Sequence, residues 1–154
     1  MPASFALIPA SYLYLRRGEE VLLQRRANTG YMDGHWVAGA AGHLEPGETA
    51  VAAAVREAEE EIGVRIRPQD LRLITVMHRT DGTDAPIEQR IEWFWTAESW
   101  DGVPVIREPA KCADLAWFPL TDLPEPIPGY ERMVVASLSG PPLPSAVSYG
   151  FPDS

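Results

Sequence analysis

The chain has 154 residues, of which 45% are hydrophobic and 23% are charged, as is typical of one soluble globular domain. Its 22 acidic and 13 basic residues give a net charge of -9, so we expect a surface that repels nucleic acids and anionic membranes. No apolar run approaches the roughly 20 residues that a membrane-spanning helix requires, and the apolar residues 4–15 lack the basic start and cleavage site of a signal peptide. The single cysteine, Cys112, excludes an intrachain disulfide and is typical of a reducing compartment, so we expect a cytoplasmic protein.

Short apolar runs bounded by turn residues predict most of the strands. Residues 12–15 and 21–24 flank a polar stretch that contains Gly18, and this pattern predicts a β-hairpin. The sequence ANTGYMDG at residues 27–34 predicts a loop. Residues 36–44 predict a short strand that becomes an irregular loop through Pro46 and Gly47. Further strands are predicted at residues 71–78, at residues 90–98 and, over a shorter length, near residues 115–119.

Two segments have helical patterns. Residues 50–62, AVAAAVREAEEEI, consist of strong helix formers, with Thr49 or Glu48 placed to cap the start and Gly63 placed to end the helix. A second helix is predicted at residues 130–138. Eight of the 15 prolines follow Phe118, so we expect residues 141–154 to form an extended tail outside the core. The alternation of strands and helices predicts a mixed sheet between helical layers.

Three glutamates have the spacing that places them on one face of the first helix. Residues three and four positions apart on a helix are neighbours, and Glu57, Glu60 and Glu61 have this spacing. Their like charges destabilise the helix by a few tenths of a kcal/mol per pair. A hard divalent cation would compensate, and Mg²⁺ takes carboxylate, carbonyl and phosphate oxygens as ligands. The pattern therefore indicates phosphate chemistry at this helix.

Arg56 precedes this glutamate cluster and lies within reach of Glu48 near the helix start. A bidentate arginine–carboxylate pair between them would lock the preceding loop to the helix and hold the metal ligands in place. Taken alone, REAEEE is also typical of an ordinary solvated helix face, which is the competing interpretation.

The complete pattern reads Gly42, five residues, Glu48, seven residues, and then REAEEEIGV at residues 56–64. It resembles the Nudix box, G-x₅-E-x₇-R-E-U-x-E-E-x-G-U, in which U is a bulky aliphatic residue. Ala58, smaller than the usual residue at the first U position, is the one departure. Flanking segments also resemble the MutT-like branch of the family, so the resemblance extends from Glu20 to about Tyr130.

The resemblance implies an α/β/α sandwich around a mixed β-sheet, with one domain at residues 1–140 and the tail at residues 141–154. It implies a hydrolase that cleaves a phosphoric anhydride bond in a nucleoside diphosphate-X or nucleoside triphosphate, with Mg²⁺ or alternatively Mn²⁺. Metal ligation falls to Glu57, Glu60, Glu61 and the backbone carbonyl of Ala41. The resemblance also implies that Gly42, Glu48, Arg56 and Gly63 support the site structurally.

Residues outside the box are assigned by the same resemblance. Glu108 falls where a further glutamate assists as metal ligand or base, so the catalytic candidates are Glu57, Glu60, Glu61 and Glu108. Arg26 matches a strand arginine that faces substrate phosphates in relatives. Trp117 and Phe118 lie near the pocket wall in relatives, so the expected substrate-binding residues are Arg26 and Trp117. Ile127 falls where the enzyme that removes 8-oxo-dGTP carries a base-reading asparagine. The nearest polar side chains are those of Tyr130 and Glu131, which weakens the case for 8-oxo-dGTP as the substrate.

Two other functions stay open at this stage. One is a non-catalytic Nudix module that binds a nucleotide, although such modules usually lose box glutamates that this chain retains. The other is a hydrolase or isomerase of a non-nucleotide diphosphate, which the box does not exclude. The expected partner is a small-molecule diphosphate rather than a nucleic acid or a membrane, and a homodimer is the alternative to a monomer.

Overall fold

Strand β1 (Ile8–Arg17) is central to the fold because three other strands pair with it. In the computed structural model, which describes residues 4–152, β1 forms the predicted hairpin with β2 (Glu20–Arg26) through a turn at Gly18. It also pairs antiparallel with β4 (Ala40–His43) and parallel with β6 (Arg90–Ala97). Residues 10–15 of β1 are all buried, as expected for a strand that is covered on both faces.

The strand order is β3-β2-β1-β6-β5-β8, while β4 pairs with β1 and β7 pairs with β2. The remaining elements are β3 (Trp36–Ala38), α1 (Ala50–Ile62), β5 (Arg72–Arg79), β7 (Cys112–Pro119), α2 (Gly129–Ala136) and β8 (Ala146–Tyr149). None of the helices within residues 4–152 has the length and apolar character needed to cross a membrane.

Side chains alternate along β1 between two apolar clusters. Tyr12 and Tyr14 belong to the cluster that contains Val134 of α2, whereas Leu13 and Leu15 belong to the cluster that contains Ala58 and Ile62 of α1. The two helices therefore cover opposite faces of the strand, which confirms the predicted α/β/α sandwich with a mixed sheet.

Helix α1 begins and ends where the sequence predicts. The Thr49 hydroxyl accepts a hydrogen bond from the backbone N–H of Ala52 at 3.0 Å, so Thr49 rather than Glu48 is the cap. Gly63 ends the helix in the left-handed conformation with φ of 71°, where a side chain would be strained. The buried positions include three alanines, Ala53, Ala54 and Ala58, whose small side chains permit close packing against the sheet.

The expected irregular loop through Pro46 and Gly47 is present, but the expectation that it begins before Leu44 is wrong. Residues 40–43 form strand β4, in which Ala41 pairs with Tyr12 and Gly42 pairs with Ser11. Its small residues carry no β-strand signal of their own, and the strand forms because β1 offers an unpaired edge.

The expectation that residues 141–154 lie outside the core is also wrong for the part that forms β8. This strand runs parallel to β5, with Val76 opposite Ala146, and both Val147 and Tyr149 pack against the cluster that contains α2. The four residues AVSY contain no proline, so their backbone donors remain available even though the flanking sequence is proline-rich.

The attachment of β8 can be tested with two glycines of almost identical conformation, Gly82 (φ +88°) and Gly150 (φ +89°). A Cβ at Gly150 would collide with the backbone carbonyl of Thr80, whereas a Cβ at Gly82 would meet nothing. We expect Gly82→Ala to cost about 1–2 kcal/mol of conformational strain and Gly150→Ala to cost about 1–3 kcal/mol more. Thermal unfolding of both variants measures the difference, and equal melting temperatures would show that β8 is not held against β5.

Candidate active site

A cavity of about 700 Å³ contains the predicted glutamates. One wall carries Glu57, Glu60 and Glu61 of α1. A second wall carries aromatic and charged residues of β1, β6 and α2, and parts of β2 and of the loop before β7 complete the lining. The second wall includes Tyr12, Arg90, Tyr130 and Glu131.

Gly42 allows the glutamate helix to approach strand β4 closely. A Cβ at this position would collide with the carboxylate of Glu57. Only glycine therefore leaves room for the Glu57 side chain in its present position. The side chain of Glu57 is 13% exposed, so its carboxylate is held between the strand and the cavity.

Glu61 is held by the backbone of the same strand. The N–H of Ala41 donates a hydrogen bond of 2.6 Å to Glu61 Oε2 and is therefore not used in pairing with β1. In an antiparallel pair, the N–H and C=O of one residue point to the same side of the strand. The carbonyl of Ala41, opposite Tyr12, consequently points away from β1 as well, toward the side on which Glu61 lies.

Arg56 connects the loop before the helix to two of the cavity glutamates. Its guanidinium makes the predicted bidentate pair with Glu48, with Nε to Oε2 at 2.7 Å and Nη2 to Oε1 at 2.9 Å. These bonds lower the pKa of Glu48 to about 2. Arg56 Nη1 also donates to Glu57 Oε1 at 2.7 Å and to Glu60 Oε2 at 3.2 Å, and Nη2 donates to the carbonyl of His43 at 3.1 Å.

The negative charges on this wall favour either protonation of its carboxylates or binding of a compensating cation. Burial, followed by the charges of Glu57 and Glu108, raises the pKa of Glu61 to about 8. Burial also raises the pKa of Glu57, with smaller contributions from Glu60 and Glu108, although Arg56 opposes the shift. Glu60 is more exposed, at 53% of its side chain. The negative charges are therefore close enough to act on one another.

Two residues predicted outside the box also line the cavity. Glu108 lies in the loop before β7, where its charge acts on both Glu57 and Glu61. Arg26 lies at the end of β2, and its Nε donates to the carbonyl of Tyr31 at 2.7 Å. Helix and loop glutamates thus meet an arginine in the same cavity.

The expected contact of Trp117 with the cavity is wrong. Trp117 stacks on Trp100 with ring centroids 5.9 Å apart, carries Arg17 over its ring at 4.2 Å, and packs against the cluster that contains α1. Its partner in β2 is Leu22, which belongs to that same cluster. The register between β2 and β7 therefore turns Trp117 away from the site.

Buried groups on the second wall were not assigned a role from the sequence. Glu131 is 1% exposed, and its Oε1 accepts hydrogen bonds from the Tyr14 hydroxyl at 2.7 Å and the Ala38 N–H at 2.8 Å. Burial raises its pKa to about 7. Arg90, at the start of β6, is 9% exposed. Both are charged residues in runs of ordinary composition, so only tertiary packing shows that they line a cavity.

The donor atoms of the site fit a hard divalent cation, since they are carboxylate oxygens and a backbone carbonyl. In the arrangement shown by residues 4–152, no group of three or more His, Cys, Asp or Glu side chains converges on one point as metal ligands would. Glu57 and Glu60 instead share Arg56 as a partner, and Glu61 bonds to Ala41.

The fold and the site together define a class of protein, an α/β/α sandwich in which a glutamate-bearing helix packs on a glycine-containing strand. The model of the NUDIX domain matches residues 7–137, so the chain belongs to the Nudix family. Its glutamate helix and the strands around it all lie inside the matched region.

Individual relatives differ in their activities. The isopentenyl-diphosphate Delta-isomerase of Cereibacter sphaeroides is 32% identical over 117 residues, which are 72% of this chain and 63% of that protein. The chain therefore spans less than two thirds of the length of this relative. The 8-oxo-dGTP diphosphatase of Escherichia coli is 32% identical over 107 residues, 68% of this chain and 78% of that protein.

Solved structures show the same branch of the family. A MutT NUDIX hydrolase from Burkholderia pseudomallei superposes with a TM-score of 0.70 at 26% identity, covering 85% of this chain and 97% of the other. The similarity to the MutT-like branch, predicted from the segments that flank the box, is thereby confirmed.

The raised pKa of Glu61 predicts how the stability of the metal-free protein depends on pH. The folded protein holds this proton up to about pH 8, whereas the unfolded chain releases it near 4.5. The proton on Glu61 therefore stabilises the folded state fully below the unfolded-state pKa of 4.5. This stabilisation is lost as the pH rises toward the folded-state pKa of about 8. Between about pH 6 and pH 8.5, we expect the melting temperature in EDTA to fall less for Glu61→Gln than for the wild type.

Glu59→Gln is the matched control, because Glu59 is an exposed neighbour on the same helix and does not line the cavity. Its melting temperature should follow the wild type at every pH. A constant difference between wild type and Glu61→Gln across the range would show that Glu61 does not hold a proton in the folded protein.

Proposed function

We propose that this protein is a metal-dependent hydrolase that cleaves the diphosphate linkage of a nucleoside diphosphate-X or a nucleoside triphosphate. The observation that carries the proposal is the placement of Glu57, Glu60 and Glu61 in one cavity with Glu108 and Arg26. A cavity of about 700 Å³ is within the range of small-molecule sites, roughly 300–1,000 Å³. The relatives that hydrolyse nucleotides support the substrate class.

Nudix hydrolases generally use divalent metals, and we propose Mg²⁺, with Mn²⁺ as the alternative. Glu57, Glu60, Glu61 and the carbonyl of Ala41 would hold the metal. Metal bound there would polarise the diphosphate and lower the pKa of a coordinated water. Glu61, with its pKa raised to about 8, must lose its proton before it can ligate, so metal binding should strengthen as the pH rises.

The protein's own groups complete the reaction. A water oxygen forms a bond to one phosphorus, and the bond between that phosphorus and the bridging oxygen breaks. The bridging oxygen leaves with the bonding electron pair as a phosphate oxygen. One of Glu57, Glu60, Glu61 or Glu108 accepts the proton of the water, which is general base catalysis.

Arg26 would bind the substrate phosphates. Its guanidinium is oriented by the carbonyl of Tyr31 at 2.7 Å and lies over the Tyr31 ring at 5.7 Å from the centroid. Lys111, also in the cavity lining, is a further cation that would contact the phosphates, and its Nζ lies 3.9 Å from Glu108 Oε2. In a chain of net charge -9, such local cations are needed to accept an anionic substrate.

The overall charge supports a small molecule as the partner, rather than a nucleic acid or an anionic membrane. The single cysteine supports a cytoplasmic location.

A second candidate is the isomerisation of a non-nucleotide diphosphate, which the isomerase relatives favour. Isopentenyl diphosphate is the probe that separates the two functions. A shift of its double bond without phosphate release, together with no turnover of nucleotides, would replace the hydrolase proposal.

The hydrolase proposal is tested with a panel of nucleoside triphosphates and nucleoside diphosphate compounds in the presence of Mg²⁺. We expect turnover of at least one compound by the wild type, and a loss of about 10²-fold or more in kcat for Glu60→Gln, because a metal ligand is lost. Glu59→Gln should keep wild-type activity, since Glu59 is exposed and does not line the cavity.

Equal rates for the wild type and Glu60→Gln, or an absence of turnover across the panel, would refute the proposal. Tight nucleotide binding without turnover would instead indicate a binding module.

Arg56→Lys tests whether the bidentate pair with Glu48 positions the site. A lysine cannot contact Glu48 through two nitrogens while also reaching Glu57, so we expect activity to fall by about 10–100-fold with little change in folding. Arg67→Lys is the control, because Arg67 makes a similar pair with Asp70 on the surface, outside the cavity. Similar losses in both variants would show that the effect is not specific to the site.

A further inference from the structure

Gln24 is a buried amide side chain at the boundary between the apolar packing under helix α1 and the cavity. It is 8% exposed, lies in β2 and lines the cavity. Side chains two residues apart in a strand point to the same face, so Gln24 shares a face of β2 with Leu22. Leu22 belongs to the apolar cluster that contains α1. An apolar residue would suit the packing at this position, so the buried amide calls for an explanation.

The amide nitrogen of Gln24 bonds to the backbone that leads into strand β4. Its Nε2 donates to the carbonyl of Ala38 at 3.2 Å and to the carbonyl of Gly39 at 3.1 Å. Gly39 connects β3 to β4 and stands two residues before Ala41, whose carbonyl is a proposed metal ligand. A primary amide has two N–H donors, and Gln24 uses both to fix this connection.

The same side chain acts on Glu61. Burial is the main cause that raises the pKa of Glu61 to about 8, whereas hydrogen bonding by the Ala41 N–H and by the side chain of Gln24 opposes this shift. A donor opposes such a shift when it interacts with the charged carboxylate. Gln24 therefore contacts Glu61 from β2, while the Ala41 N–H holds the same carboxylate from β4 at 2.6 Å.

We propose that Gln24 is a positioning residue for the metal site, which holds the Glu61 carboxylate and the backbone before Ala41 so that one divalent cation can contact both ligands. This inference rests on the metal ligands of the proposed function. Gln24 acts through the groups that it holds and not by contacting the substrate. Hydrogen bonds of this kind orient metal ligands, and their loss typically lowers metal affinity by about 10–100-fold.

The proposal is tested by titrating the full chain with Mn²⁺ and measuring the free ion by electron paramagnetic resonance, so that no turnover is required. Gln24→Met removes both N–H donors and keeps an unbranched side chain of similar length. We expect its dissociation constant for Mn²⁺ to be about tenfold or more above that of the wild type.

Gln89→Met is the matched control, because it removes the same kind of hydrogen bonds outside the cavity lining. Gln89 Nε2 donates to the backbone carbonyls of Thr83 and Ala85 at 2.8 and 3.2 Å. The melting temperature of this variant should fall, since two buried or part-buried carbonyls lose a donor in each glutamine variant. Its affinity for Mn²⁺ should equal that of the wild type.

A measurement on the wild type tests the proposal even if Gln24→Met fails to fold. Saturation with Mg²⁺ should shift the NMR signals of the Gln24 side-chain amide together with that of the Ala41 backbone amide, because both groups contact the proposed ligands. The signals of the Gln89 side-chain amide should stay in place.

Three results would overturn the proposal. They are equal Mn²⁺ affinities of Gln24→Met and the wild type, an equal loss of affinity in Gln89→Met, and unchanged Gln24 amide signals at saturating Mg²⁺. An absence of Mn²⁺ binding by the wild type would also overturn it, together with the proposed metal ligands. Binding of Mn²⁺ without turnover in the nucleotide panel would instead refute the hydrolase proposal alone, and the comparison of the glutamine variants would still decide the role of Gln24.

Discussion

The close packing of helix α1 on strand β4 is the constraint on which the site depends. Gly42 has no side chain, so the Glu57 carboxylate can lie against the strand backbone, and the Ala41 N–H can donate to Glu61. Any larger residue at Gly42 would push the helix or its glutamate away from the strand. The strand in turn is positioned by its pairing with β1, so the glutamates are fixed relative to the whole sheet.

This packing brings the carboxylates of several glutamates close together. Among the residues described, few cations compensate their negative charge. Arg56 contacts Glu48, Glu57 and Glu60 at once, so a single guanidinium stabilises the helix face and the loop before it. Glu61 has no such partner among the residues described, and its pKa rises to about 8 because of burial and its acidic neighbours. The cavity is therefore preorganised to favour a cation or a proton at Glu61.

The two walls of the cavity carry different chemical groups. The glutamates, Arg26 and Lys111 form the end suited to phosphates, whereas the second wall contains tyrosines and two buried charged residues, Arg90 and Glu131. In the hydrolase that we propose, the first wall would determine which bond is cleaved and the second would determine which group the diphosphate carries. Relatives with different reactions on the same fold are consistent with such a separation.

The sequence by itself determined the first helix and its stop at Gly63, the spacing of its glutamates, the pairing of Arg56 with Glu48, and the family. All of these depend on residues close together in the chain, where the helical period sets which side chains meet. Tertiary structure alone decided that Trp117 faces away from the cavity, that Arg90 and Glu131 line it, and that AVSY joins the sheet as β8. These outcomes depend on the register between strands distant in sequence, and a shift of one residue would exchange the faces.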